Sequence, residues 1–260
     1  MTFELLIASV NADPDSLIKK MKVSSDAILS NQCGHDSFED IEYEGHKIKV
    51  LNSSLRGVGV NRNNALYTSD ADICLFSDED LIYEPSYEEK VISAFKNHPD
   101  ASVITFNFTV DERRRTYFNE DAHLINWRNY GRYPAYAIAI RREDIISRNI
   151  KYSELFGGGA KYSNGEDSLF LHDCLKAGLK IYAETDVLGM EEYRESTWFK
   201  GYTDKFFFDR GVLYHFLYGK MAVIFGFRFL FKNRNEMLKD ISLQKAFSLL
   251  CKGVKEGKRI

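Results

Sequence analysis

Short apolar runs alternate with amphipathic stretches through the first two hundred residues. Phe3–Val10 reads as a buried strand, Asp13-Pro14-Asp15 as a helix start leading into residues 17–21, and residues 26–30 as a second strand. The pattern then predicts a strand over 47–51, a helix over 61–68, a strand over 72–76 and a helix over Tyr87–Asn97. Strands alternating with helices predict an α/β fold, a mostly parallel sheet flanked by helices on both faces. Strand character returns at 101–108, 135–140 and 180–183, whereas the charged stretch 109–133 reads as a loop or lid. An amphipathic helix passes through Leu169, Phe170, Cys174, Leu175 and Ala177 and stops at Gly178.

The pattern changes after Gly211. Residues 212–232 are unusually aromatic, but Lys220 and Arg228 interrupt them, so the ~20 uninterrupted apolar residues of a membrane span are lacking. As one helix, Lys220, Arg228 and Lys232 would fall within an arc of roughly 120°, leaving a broad apolar face. Such a face suits a membrane interface, and equally suits packing on the preceding domain or a dimer contact.

Composition adds one core domain, residues 1–211, with a helical appendage over 212–260. Apolar residues make up 44% and charged residues 28%, which excludes a disordered chain. The net charge of -3 conceals an asymmetry: residues 212–260 hold ten Lys/Arg against three Asp/Glu, and residues 1–211 hold 25 against 35. A basic tail with this apolar content points to anionic lipid ahead of nucleic acid. Cys33, Cys74, Cys174 and Cys251 form no Cys-x-x-Cys pair and read as reduced thiols. The first ten residues carry no basic leader, so a cytoplasmic location, at the inner face of the cell membrane if the tail binds lipid, is the expectation.

Candidate chemistry sits where strands end. The run Ala71–Ser77 leads directly into Asp78-Glu79-Asp80, while Asp70 and Asp72 flank its amino end. Ligands of open α/β sheets bind outside the carboxyl ends of strands, which selects Asp78 and Asp80. Two apart on extended backbone, they project to one side and can share a cation or a sugar hydroxyl; hard carboxylate oxygens suit Mg²⁺ or Mn²⁺. The plain alternative is an exposed acidic turn.

A second acidic pair, Glu166-Asp167, opens the later helix. Ser163-Asn164-Gly165-Glu166 fits a capping box, and a carboxylate at a helix start is expected to keep a low pKa. The preceding Gly157-Gly158-Gly159 run allows close backbone approach to a ligand. Arg56-Gly57-Val58-Gly59-Val60-Asn61-Arg62-Asn63 falls between a strand and a helix, where amides and guanidinium groups meet phosphate, or where a tight turn simply carries a surface arginine. Arg113-Arg114-Arg115 reads as a solvated charge run.

In order, Arg56-Gly57, Arg62-Asn63, Leu75-Phe76-Ser77-Asp78-Glu79-Asp80 and Gly165-Glu166-Asp167 resemble the motifs of family 2 glycosyltransferases of the GT-A fold, over roughly residues 3–200. The resemblance implies a Rossmann-like donor half over about 1–110 and an acceptor half over about 111–211. It makes Asp78-Glu79-Asp80 the Asp-x-Asp motif, with Asp80 the metal ligand and Asp78 nearer the donor's ribose or sugar. Asp167 becomes the catalytic base, and Glu166 orients the loop or contacts acceptor hydroxyls. The donor would be a UDP-sugar held also by Arg56 and Arg62, and the acceptor a glycan or lipid-linked glycan of a bacterial surface polysaccharide.

Two departures stand out. Where family members have an acidic residue to read the base, this chain has Leu29-Ser30-Asn31-Gln32, leaving Asn31 for that task. Where many have a histidine completing the metal shell, Gly189-Met190-Glu191-Glu192 offers Glu191. Two other readings compete: a catalytically silent glycan- or membrane-binding protein of the same fold, and a sugar nucleotidyltransferase. The latter needs a glycine- and lysine-rich loop after the first strand, where Ser9-Val10-Asn11-Ala12-Asp13 stands instead.

Overall fold

The structure is a computed structural model that describes residues 1–112, 115–192 and 201–260. Arg113 and Arg114 of the arginine run lie outside the described residues. The chain divides into two compact units: Met1–Glu154 with Glu166–Arg194, and Leu155–Gly165 with Glu195–Ile260.

The first unit holds a ten-stranded sheet. Its strands are β1 (Phe3–Val10), β2 (Ala27–Gln32), β3 (Ser37–Tyr43), β4 (His46–Ser53), β5 (Ile73–Asp78), β6 (Leu81–Tyr83), β7 (Val103–Thr109), β8 (His123–Ile125), β9 (Ile138–Arg141) and β10 (Ile181–Glu191). The spatial order is β3-β4-β2-β1-β5-β9-β7-β10-β6, with β8 also on β10. Strands β4, β2, β1 and β5 pair in parallel, as do β7 and β10. The interposed β9 is antiparallel to both β5 and β7, so those two still run the same way. The expected mostly parallel sheet is therefore present, with one reversed strand near its middle.

Both faces are covered, which explains the nearly continuous apolar runs. Leu5, Ile7, Leu29 and Leu75 pack with Ile18 and Met21 of α1 (Pro14–Met21) and with Tyr87, Val91 and Phe95 in one core. Leu6, Ile28, Cys74 and Phe76 alternate with them and are equally buried. Asp13 caps α1, accepting the Ser16 N–H at 3.1 Å. The remaining helices of this unit are α2 (Val58–Thr68), α3 (Tyr87–Asn97), α4 (Arg142–Ile146) and α5 (Glu166–Lys176).

Sequence patterning misses β3, β6 and β8. β3 is an edge strand whose residues are mostly exposed and polar, so it has no apolar alternation to betray it. The stretch 109–133 is not an open lid throughout, since β8 pairs with the start of β10 and buried Asn119 exchanges bonds with Asn107 at 2.8 and 3.0 Å. β10 runs well beyond 180–183, through polar Glu184, Thr185 and Asp186 and two register shifts. Their carbonyls are tied from the side: Asn119 donates to Glu184 O and Asn107 to Thr185 O, each at 3.0 Å.

The second unit is helical: α6 (Asp204–Tyr218), α7 (Ala222–Lys232), α8 (Arg234–Met237) and α9 (Leu243–Gly257). α6 and α9 meet backbone to backbone. A Cβ on Gly211 would lie 2.1 Å from the Leu250 carbonyl oxygen, and one on Gly253 would lie 2.0 Å from that of Phe208. A domain boundary after Gly211 would thus cut α6 at its tightest contact, so the tail begins upstream of 212. Nor is 212–232 one helix: Gly219, at φ 52°, ends α6 before a short 3-10 turn, Gly219–Met221. Val212, Leu213 and Tyr214 are buried, which leaves α7 as the surface element.

Candidate active site

The segment between β4 and α2 is fixed by close approach. Gly57, at φ 125°, precedes α2 and donates its N–H to Gln32 Oε1 at 3.1 Å. A Cβ on Gly59 would fall 2.2 Å from the Ser153 carbonyl oxygen, so only glycine lets α2 lie this near the 152–154 strand of chain. The helix starts at Val58, three residues before the sequence pattern places it, because its contact face is polar rather than apolar. Asn61 donates to Ser9 O at 3.1 Å and accepts from Ser30 Oγ at 2.5 Å. Asn63 donates to Tyr152 O at 2.9 Å and accepts the Tyr152 N–H at 2.8 Å.

Between these two asparagines stands Arg62, only 4% exposed. Its Nη2 donates to Asp78 Oδ1 at 2.8 Å, and its Nη1 donates to Glu166 Oε1 and Asp167 Oδ1, each at 3.2 Å. One buried guanidinium therefore joins the acid at the end of β5 to both acids at the start of α5. The group lies 5.2 Å from the Tyr152 ring centroid, and Tyr152 stacks on Phe170 at 4.4 Å with Phe76 edge-on at 4.9 Å. This aromatic shelf fixes the guanidinium plane from below. Burial opposes the charge, but Asp78, Asp167 and Glu166 together hold Arg62 protonated well above its ordinary range.

Asp167 behaves unlike a carboxylate at an ordinary helix start. Burial pushes its pKa well up, the charges of Glu166 and Asp78 add to the rise, and Arg62 and the Ala135 amide only partly offset it. The low pKa expected from the helix dipole is overturned, because 27% side-chain exposure leaves too little solvent to carry three neighbouring negative charges against one cation. The helix start also differs from the one the capping box predicts. α5 begins at Glu166, so Ser163 lies two residues outside the cap position, and its N–H and hydroxyl donate to Asp209 at 2.9 and 2.5 Å. The upstream glycines form a turn, with Gly157 and Gly159 at φ 102° and 79° and the Gly157 N–H bonded to Tyr162 O at 2.9 Å.

The acidic turn after β5 is spread over three attachments. Asp78 meets Arg62, Glu79 Oε2 accepts the Val10 N–H at 3.0 Å, and the Asp80 carbonyl accepts the Glu192 N–H at 2.7 Å. β6 pairs with β10 so that Leu81 opposes Glu191, which places the turn residue Asp80 next to the end of β10. Tyr83 donates to Ser77 Oγ at 2.8 Å and ties β6 back to the end of β5. The competing acids lie at the other end of the strand, where Asp72 accepts the Thr2 N–H at 2.8 Å.

The remaining candidates separate. Asn31 is 3% exposed and its amide is saturated: Oδ1 accepts from Ser9 Oγ and the Ala12 N–H, and Nδ2 donates to Ala12 O and Asn52 Oδ1. With both donors and both lone pairs engaged, it shapes the loop after β1 and presents no open group to a base. Arg56 is exposed beside Gly57. The surface-arginine alternative thus describes Arg56 and not Arg62.

The carboxylate oxygens of Asp78, Asp80 and Glu191 are of the hard kind that suits Mg²⁺ or Mn²⁺. Among the described residues, however, no three of His, Cys, Asp or Glu gather into a group that could hold a metal ion, so the three-carboxylate shell expected from the sequence is not assembled. Sequence reasoning did not find Tyr152 or the Ala135 amide, and it took Asn61 and Asn63 only as part of the run around Arg62, without a role of their own. The available signal was a helix with almost no apolar period whose polar residues had to be buried for some purpose.

Residues 27–155 match the family described as glycosyl transferase family 2. A search of curated proteins finds no match. Among solved structures, residues 1–349 of S. aureus TarS in complex with UDP-GlcNAc align with a TM-score of 0.63 at 14% identity, covering 92% of this chain and 74% of that one. The UDP complex of TarS aligns with the same score and identity over 98% and 82%. The mannosyltransferase PcManGT of Pyrobaculum calidifontis, in complex with GDP-Man and Mn²⁺, gives 0.52 at 10% identity over 99% and 75%. At such identities these likenesses speak for the fold, and the family match spans the segment that carries Arg62, Asp78 and Asp80. The chain belongs to glycosyltransferase family 2 and is a transferase of the GT-A fold.

Proposed function

We propose that this protein moves a sugar from a nucleoside-diphosphate sugar, a UDP-sugar first, to a glycan or lipid-linked glycan with inversion, in polysaccharide biosynthesis. The observation that carries the reading is Arg62, which draws Asp78 and Asp167 onto one guanidinium. Donor-side and proton-side carboxylates thereby sit in one rigid cluster.

Asp167 is the base. As an acceptor hydroxyl oxygen bonds to the anomeric carbon, its proton passes to the Asp167 carboxylate, and the anomeric C–O bond breaks with its electron pair leaving on the diphosphate. A raised pKa makes the ionised carboxylate a stronger base than an ordinary aspartate. The Ala135 amide orients it, Arg62 keeps it beside the donor acids, and Glu166, on the same guanidinium, orients the loop or contacts acceptor hydroxyls. Asp80 would hold Mn²⁺ or Mg²⁺, which when bound supplies positive charge against the leaving diphosphate. Arg56, exposed at the entry to α2, contributes a guanidinium to the donor phosphates.

The test is thermal denaturation with UDP, GDP, UDP-GlcNAc and GDP-mannose, each with and without Mn²⁺. A nucleotide at about a hundred times its Kd stabilises the fold by roughly 2.7 kcal/mol. Metal-dependent stabilisation by one nucleotide supports the reading and names the donor class. No response to any would favour the silent glycan- or membrane-binding protein.

A further inference from the structure

α7 and α9 both lie at the surface of the helical unit, yet they present opposite chemistry. The exposed positions of α9 include Gln244, Lys245, Ser248, Lys252 and Lys255, an ordinary solvated face. Those of α7 include Val223 (39% exposed), Ile224 (60%), Phe227 (47%) and Phe231 (53%), while Ala222, Gly226 and Leu230 face inward. At 3.6 residues per turn these four side chains occupy an arc of about 100°, and Arg228 and Lys232 continue it over about 80° more. A fifth exposed apolar side chain, Phe225 (37%), lies beyond the cations and stacks on Tyr218, and Met221, 48% exposed, precedes the helix. A contiguous exposed patch of this kind is uncommon on a monomer that stays in water.

From this face we infer that α7 docks on the surface of an anionic lipid bilayer, its apolar strip lying among the acyl chains and its cations among the headgroup phosphates. Charge selects the occupant. Gly219–Met221 and α7 contain Lys220, Arg228 and Lys232 and not one Asp or Glu. A second copy laid on the strip would bring like charges together with no acid on α7 to pair them, whereas anionic headgroups complement all three. Eleven residues of helix are too short to cross a bilayer, and among the described residues no helix is long and apolar enough to do so, so the fit is to the interface. This narrows the proposed membrane contact from residues 212–232 to one face of one helix, and it stands or falls separately from sugar transfer.

The experiment is co-sedimentation of the full chain with phosphatidylcholine vesicles and with vesicles in which about a third of the lipid is phosphatidylglycerol. The expected result is binding to the anionic vesicles that exceeds binding to the neutral ones by at least about tenfold. Phe227 packs edge-on to Phe247 at 5.5 Å, so Phe227→Glu risks a local shift; Ile224→Glu, at the most exposed position of the strip, serves as the second variant. Either substitution, and Arg228→Ala with Lys232→Ala, should abolish or sharply reduce binding while the melting curve of the Ile224→Glu protein is retained. Absence of vesicle binding by the natural chain, or binding unchanged in Ile224→Glu, overturns the inference. So does a concentration-dependent dimer in analytical ultracentrifugation that Ile224→Glu dissociates, since that assigns the face to a second copy. Because the readout involves no nucleotide, a failed donor screen with retained vesicle binding would reject the transferase mechanism alone.

Discussion

Arg62 confronts three carboxylates with a single positive charge, and its side chain is only 5% exposed. Replacing it by Ala would leave Asp78, Glu166 and Asp167 crowded without a counter-ion, and loss of one partner of a buried ion pair costs about 3–5 kcal/mol. Urea denaturation should show a loss of that order. Arg62→Lys keeps the charge but cannot span two directions with a planar fork, so intermediate stability and a fall in transfer of about a hundredfold are expected. Asp167 gives the opposite pairing of effects. Its folded-state pKa is raised, so the neutral acid stabilises the fold below the ordinary carboxylate value of 3.8, and that contribution disappears as pH rises through the folded value. Asp167→Asn should therefore abolish transfer while its melting temperature gains on the natural protein from about pH 4 upward. A variant uniformly less stable across that range would contradict the direction given for Asp167.

At the scale of elements, the two contact glycines make different demands. Gly59→Ala drives a methyl toward the Ser153 carbonyl at 2.2 Å, a rigid backbone atom. Overpacking of this kind costs about 1–3 kcal/mol, and here it would also move α2, so reduced stability should come with weakened nucleotide binding. Gly253→Ala, pressed against Phe208 O, should lower stability by a similar amount without touching nucleotide affinity. What the sequence made legible divides along the same line. Elements buried through apolar periodicity, such as β1, β2, β5 and α3, are readable because their pattern records their environment. The start of α2 is not, since Asn61, Arg62 and Asn63 look like a surface turn until their partners, up to 105 residues away, are in place. The acids at Asp78 and Asp167 were legible as chain positions, yet the guanidinium joining them was not, because a sequence does not show burial. The helix dipole argument for Asp167 failed for that same reason.

On the scale of the whole molecule, the site's side chains belong to the sheet-bearing unit and the apolar strip to the helical one. Hydrogen exchange should resolve them: a nucleotide with Mn²⁺ should slow amides in α2 and in the turn at 78–80, whereas anionic vesicles should slow those of α7. Protection by nucleotide confined to α7 would be incompatible with the carboxylate cluster as its site. The reversed β9 adds something a fully parallel sheet would lack. Every forward strand delivers to the rim that carries Asp78 only the residues that follow it, but β9 arrives from that rim, so the segment that precedes it is delivered there as well. Ala135 is in that segment, and its amide reaches Asp167. One inverted strand thus converts an inbound connection into part of the wall around Asp167. Substitutions at 133–137 should accordingly shift the ionisation of Asp167, the proposed base, with no change in any acidic residue.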